Sequence, residues 1–420
     1  MHHFTYSDGA LHCEGVSLAR IAEDVGTPVY VYSSATLERH YDVLRDALGP
    51  RDPLIAFAVK ANGNIAVLAT LAKRGAGADT VSAGEIERAL AAGVPPARII
   101  FSGVGKTAEE LIYAMRVGVH QINVESAAEL DLLEALARSE NARPAIAVRI
   151  NPDVGAGGHE KIMTGGRENK FGVSAEEAMQ LYARAAGSPH LDVRGLAVHI
   201  GSQIRDLAPL EATFTILRDL AARLRAQGLP VTHLDLGGGL GVPYFNEAAP
   251  PAPADYATMI ARVFDGFDVR LAFEPGRLIA GNAGVLVARA LRVQTRPDRR
   301  ILVLDAGMND LVRPALYDAY HDILPVQEPG AAAPRAPIDV VGPICETGDT
   351  FARGRALPPL GPGDLVAFQT AGAYGAAMAS TYNARPLVPE VLVRGDRFQV
   401  VRRRVPVAEQ IGWESLPDWL

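Results

Sequence analysis

The stretch LIAFAVKANGNIAVLATLAKRG, residues 54–75, decides how the rest of the chain is read. Its first half is a short apolar run; its second half spaces apolar residues helically and closes on Gly75. That is one strand followed by one helix. At the junction stands a lone lysine, Lys60. A buried free ammonium is costly unless something pairs with it or removes its charge. Lys60 is therefore either a snorkelling surface side chain or a residue with a chemical task.

The same unit recurs. Further strand candidates are GADTVS (77–82), RIIFSG (98–103), HQINVES (120–126), AIAVRIN (145–151), GLAVHIG (195–201), THLDLGGG (232–239) and VRLAFEPG (269–276). Helical patterns lie between them: SAGEIERALAAG (82–93), TAEELIYAMRVG (107–118) and SAAELDLLEALARS (126–139). Ser82, Thr107 and Ser126 are N-cap residues, and Glu85 and Glu129 stand three residues after Ser82 and Ser126, as in a capping box. Eight such units in succession predict an α/β fold, a (βα)8 TIM-type barrel, over an open doubly wound sheet. Barrel chemistry sits at the C-terminal ends of the strands. Lys60, Ser102, Asn151, His199, Gly237 to Gly239 and Glu274 all fall there.

Beyond the eighth unit the rhythm changes. VLVARALRVQTR (285–296), RRILVLDAG (299–307), IDVVGPICETGD (338–349), DLVAFQTAGAY (364–374) and EVLVRGDRFQVVRRR (390–404) read as strands and Gly/Pro turns, and EPGAAAPRAP (328–337) as an exposed loop. TPVYVYS (27–33) is a strand ahead of the barrel. The expected domains are a barrel over 35–275 and a mostly β domain, a sandwich or barrel, built from 1–34 with 276–420.

The 420 residues are 48% apolar and 21% charged, the balance of a folded globular protein. A net charge of -7 with no basic run argues against a nucleic-acid partner. Only Cys13 and Cys345 are present, which excludes a disulfide framework and a cysteine-rich zinc site; no metal is expected. No signal peptide and no bilayer-length apolar run is visible, so the expectation is a cytoplasmic protein without a membrane partner.

The glycines of LDLGGGLG (234–241) let backbone amides approach an anion, at the seventh strand's end, where barrels often hold a phosphate. A flexible turn is the plainer reading. The spacing fails the dinucleotide fingerprint, because Val242 occupies its last position. A lysine and a phosphate cup on one barrel face suggest pyridoxal 5'-phosphate, which would neutralise Lys60 as an imine. In FEPGR (273–277), Glu274 could keep a pyridine nitrogen protonated, or make a surface ion pair with a neighbour. His199 and Ser202 of AVHIGSQ could serve ring and phosphate, although a lone histidine is also at home in a core. Cys345 of PICETGD is a proton donor or a small buried apolar residue; Arg313 and Tyr317 of NDLVRPALY form a possible carboxylate clamp.

Taken in order, FAVKAN, ADTVSAGE, NPDVGAGGHEKIMTGGRENKFG, HIGSQ, LDLGGGLG, FEPGR, DAGMNDLVRPALY, GPICETGD and AGAY resemble the fold type III pyridoxal-phosphate decarboxylases, most closely the branch acting on meso-diaminopimelate. The resemblance implies that Lys60 carries the cofactor, that His199 lies against its ring and that Glu274 meets the pyridine nitrogen. It assigns the phosphate to Ser202, Gly238, Gly239, Gly276 and Arg277 with Tyr374, and the substrate to Arg277, Arg313, Tyr317, Glu346 and Tyr374. It makes Cys345 the proton donor, acting with Glu346 in the partner's site of a homodimer, and makes Gly155 to Gly172 a lid. Glu274 argues against a racemase, which sets an arginine at that nitrogen. Two arginines and a tyrosine beside Glu346 suit a substrate with an amino-acid group at each end, whose decarboxylation gives L-lysine.

Overall fold

The computed structural model describes residues 2–49, 52–155, 170–244 and 249–420. They divide into two compact units, one with residues 2–37, Tyr244 and 280–420, the other with 38–243 and 249–279. These divisions fall a few residues beyond the expected 34/35 and 275/276. Residues 156–169, most of the expected lid, lie outside the described residues.

The second unit is a closed parallel barrel of eight strands: β1 (Leu54–Ala58), β2 (Gly77–Thr80), β3 (Ile99–Phe101), β4 (Gln121–Val124), β5 (Ala145–Ile150), β6 (Asp192–Val198), β7 (His233–Asp235) and β8 (Arg270–Phe273). Neighbours pair in chain order, and β8 closes the ring on β1 through Ala272↔Leu54 and Phe273↔Ile55. All four residues of β2 and β4 are buried, because helices cover the outer face and side chains fill the inner one. Each predicted strand is present.

Helix starts follow the sequence. Ser82 and Ser126 accept from the amides of Glu85 and Glu129, and Thr107 from that of Glu110. The reciprocal half differs from expectation. Glu85 accepts from Val81 N at 2.8 Å and Glu129 from Glu125 N at 3.2 Å, each one residue ahead of the cap. The complete capping box is Thr107 with Glu110.

The other unit is mostly β. Its long strand Gly284–Thr295 pairs antiparallel with Val29–Ser33, Arg300–Leu304 and Leu365–Phe368, and Val29–Ser33 pairs parallel with Glu390–Arg394. The N-terminal strand is thus interior to a sheet otherwise made by the C-terminal part. Val29, Val31, Val285, Val287, Val391 and Val393 share one core, the period of two expected of strands, with Leu18 and Ile21 of helix Leu18–Val25 packed among them.

Candidate active site

Strand β1 ends at Ala58, and the chain tightens into a single 3-10 turn, Val59–Ala61, that carries Lys60. Register places Ala58 opposite Asp79 of β2, so Lys60 reaches back over the strand end. Its Nζ lies 2.5 Å from Asp79 Oδ2; the lysine side chain is 35% exposed, the aspartate's 0%. Asp79 Oδ1 is buried with no hydrogen-bond partner among the described residues. Nearby Glu85 is pushed up to about 7, chiefly by burial and then by the Asp79 charge.

Glu274 follows β8 and is buried. Burial first, then the carboxylates of Asp235 and Asp79, push its carboxyl well above the ordinary range, with Lys60 opposing. The ends of β6, β7 and β8 meet backbone to backbone around Gly237 and Gly238. A Cβ on Gly238 would stand 2.1 Å from the Glu274 carbonyl oxygen, and one on Gly237 2.3 Å from that of Val198. Glycine at these positions is a steric requirement, and the result is a cradle of bare backbone.

His199, just past β6, accepts from Gly238 N through Nδ1 at 3.2 Å. Nδ1 therefore bears no proton. Burial, then Lys60 and Arg149, hold the ring's pKa well below its ordinary value, so the imidazole is neutral. Arg277 begins the short helix after Gly276 and donates to Ser202 Oγ from Nη2 and Nε, at 3.2 and 3.3 Å. The barrel thus gathers Lys60, His199, Ser202, Gly238, Gly239, Glu274, Gly276 and Arg277 at the C-terminal ends of its strands.

A second buried lysine, which the sequence reading missed, sits past β3. Lys106 Nζ donates to Gly103 O (2.6 Å), Asn123 O (2.7 Å) and Glu129 Oε1 (2.6 Å), and its side chain is 0% exposed. Burial lowers its pKa and Glu129 opposes the shift. With all three donor positions used, it is structural.

In the β unit, Arg313 and Tyr317 bound one short helix. Arg313 is buried, its Nη1 2.7 Å from His321 Nε2 and its guanidinium over the Tyr244 ring. Cys345 and Glu346 are exposed, which removes the buried-apolar reading of Cys345. Asp349, unremarked in the sequence reading, shapes their loop by accepting from Ile344 N and Met308 N, both at 2.6 Å. Tyr374 takes left-handed backbone at φ 56°.

These features fit pyridoxal phosphate. Lys60 is reachable and held by a carboxylate, a neutral histidine and a buried acid lie nearby, and the glycine cradle is one that any Cβ would fill. Residues 34–281 match the family model described as Pyridoxal-dependent decarboxylase, pyridoxal binding domain, which sets the class. The chain is 48% identical to diaminopimelate decarboxylase of Zymomonas mobilis over 99% of both chains. It is 49% identical to that of Pseudomonas aeruginosa over 98% of this chain and 99% of the other. Diaminopimelate decarboxylase from Helicobacter pylori, complexed with L-lysine, superposes with a TM-score of 0.91 at 39% identity, covering 94% of this chain and 98% of that one. The chain belongs to the diaminopimelate decarboxylase family.

Proposed function

We propose that this chain decarboxylates meso-2,6-diaminopimelate to L-lysine and carbon dioxide, the last step of lysine biosynthesis through diaminopimelate. The observation that carries the reading is the match to diaminopimelate decarboxylases along nearly the whole chain, with the Lys60–Asp79 pair intact at the barrel's C-terminal end.

Pyridoxal phosphate, when bound, supplies the electron sink for the bonding pair that carbon dioxide leaves behind. Lys60 Nζ would carry the cofactor, with Asp79 fixing the direction from which that nitrogen works. Neutral His199 offers a flat face without adding positive charge. Glu274 would serve the ring nitrogen. The amides of Gly238 and Gly239, with Ser202, Gly276, Arg277 and Tyr374, hold the phosphate.

Around the substrate, Arg277, Arg313, Tyr317 and Tyr374 take carboxylate oxygens and Glu346 takes the distal ammonium. Cys345 Sγ delivers a proton to the carbon that has lost carbon dioxide. In our reading the barrel holds the cofactor while the β unit supplies these substrate and proton-donor loops. Cys345 and Glu346 act in the site of a second copy, in a homodimer. We place the enzyme in the cytoplasm, where its two free cysteines stay reduced. No helix among the described residues is long and apolar enough to cross a membrane.

The test is to supply the cofactor-loaded enzyme with meso-diaminopimelate, ornithine and carboxynorspermidine in parallel. L-lysine from diaminopimelate alone is expected. Product from another substrate with no lysine overturns the substrate assignment.

A further inference from the structure

We propose that Asp235 is the positioning residue for Glu274. The two buried carboxyls hold one proton between them, so that Glu274 is fixed in place and carries a proton that a nitrogen base can take. This rests on the reading that the barrel holds pyridoxal phosphate.

Asp235 ends β7 and Glu274 follows β8, the neighbouring strand. Both are buried, and they act on one another's titration, the Asp235 carboxylate pushing that of Glu274 up. The donors around them run one way. Gln121 Nε2 donates to Asn123 Oδ1 at 2.7 Å, which fixes the Asn123 amide with its nitrogen inward. Asn123 Nδ2 then donates to Asp235 Oδ2 and to Ser102 Oγ, each at 3.0 Å. Gly237 N donates to Asp235 Oδ1 at 3.0 Å. Ser102 Oγ, in turn, faces Glu274 Oε1 at a long 3.5 Å.

Asp235 thus has two good donors and Glu274 one weak one. Two carboxylates side by side in a buried site do not both ionise. Asp235, with more hydrogen bonds to it, is the anion, and Glu274 keeps the proton. The charged or titratable groups facing the pair are Asp79, Lys60 and the Tyr256 hydroxyl. Asp79 and Lys60 offset each other through their own ion pair, so the pair carries one negative charge and one proton. When a nitrogen base arrives, the Glu274 O–H bond breaks, an N–H bond forms, and the electron pair stays on the Glu274 carboxylate.

Difference infrared spectroscopy on the full chain tests this. Apo wild type minus apo Glu274→Gln should show one protonated-carboxyl band, the subtraction removing other buried acids. In Asp235→Asn that band should move to higher frequency, because an amide oxygen replaces the anionic acceptor. Pyridoxine 5'-phosphate, which lacks the aldehyde and cannot react with Lys60, should abolish the band in wild type. It should bind Asp235→Asn about tenfold or more weakly. No band in wild type, or a band unmoved in Asp235→Asn, overturns the proposal; the first needs no Asp235 variant to fold. A band that is present in an enzyme unable to bind pyridoxine phosphate strikes instead at the cofactor reading, and with it at the proton's destination.

Discussion

Lys60 Nζ lies 2.5 Å from Asp79 Oδ2, the aspartate wholly buried and the lysine partly exposed. The carboxylate holds a reactive amine at the barrel's C-terminal end without sealing it off. Removing the lysine strands a buried charge, which typically costs about 3–5 kcal/mol when both partners are buried and less here, since Lys60 is partly solvated. Lys60→Ala should lose the visible absorbance of bound cofactor, cut turnover by about a thousandfold or more and lower the melting temperature of the apo protein. Absorbance and calorimetry on one preparation check all three.

The glycine cradle is sensitive to a single methyl group. Gly238→Ala drives a Cβ to 2.1 Å from the Glu274 carbonyl oxygen, so the ends of β7 and β8 must separate. Overpacking of this kind costs about 1–3 kcal/mol, and the cofactor should bind at least tenfold more weakly. Gly330→Ala, with nothing within 4 Å, is the neutral control. Titrating apo protein with pyridoxal phosphate gives both affinities.

Cys345 is exposed, with its amide donating to Asn383 Oδ1 at 3.0 Å. Loss of a general acid typically slows turnover about 10²–10⁴-fold, so Cys345→Ala should do so while keeping cofactor absorbance. If sites are shared between copies, mixing this variant with Lys60→Ala should restore part of the activity through heterodimers that contain one intact site. A mixture as inactive as its components would remove the shared site.

Stability should carry a signature of Asp310, whose carboxyl burial pushes from 3.8 up to about 7. The folded state binds this proton more tightly than the unfolded chain does. The contribution is therefore full below the unfolded pKa and is lost as pH rises from about 4 to about 7, by at most about 1.4 kcal/mol per pH unit. Asp310→Asn should flatten the difference between urea midpoints measured at about pH 5 and about pH 8. An unchanged difference would mean that Asp310 is ionised in the folded protein.

Much of this site was legible because each piece ends an apolar run. Lys60 after LIAFAV, GGG after LDL and Glu274 after RLAF all stand where a barrel strand stops. Asp79 and Asp235 lie inside such runs, and the alternation GADT or HLD hides them as ordinary strand residues. The available signal was chemical, since a carboxylate in a strand buried on both faces needs a partner. Lys106 goes unsignalled in the local pattern because its three acceptors come from residues 103, 123 and 129. Glu129 takes Lys106 on Oε1 and the Glu125 amide on Oε2, two partners its place three residues after Ser126 does not announce. Nor does the local pattern of Val29–Ser33 reveal its place between Gly284–Thr295 and Glu390–Arg394; that pairing spans almost the entire chain.

The most direct measurement is to reduce the cofactor-loaded enzyme with borohydride, digest it and locate the covalently fixed cofactor by mass spectrometry. Both lysines stand near the C-terminal ends of barrel strands. Label on Lys60 alone is expected, because Lys106 has its three donor positions occupied and its side chain shut away from solvent. Label on Lys106, or a loaded enzyme that takes no label at Lys60, would contradict the role given to Lys60.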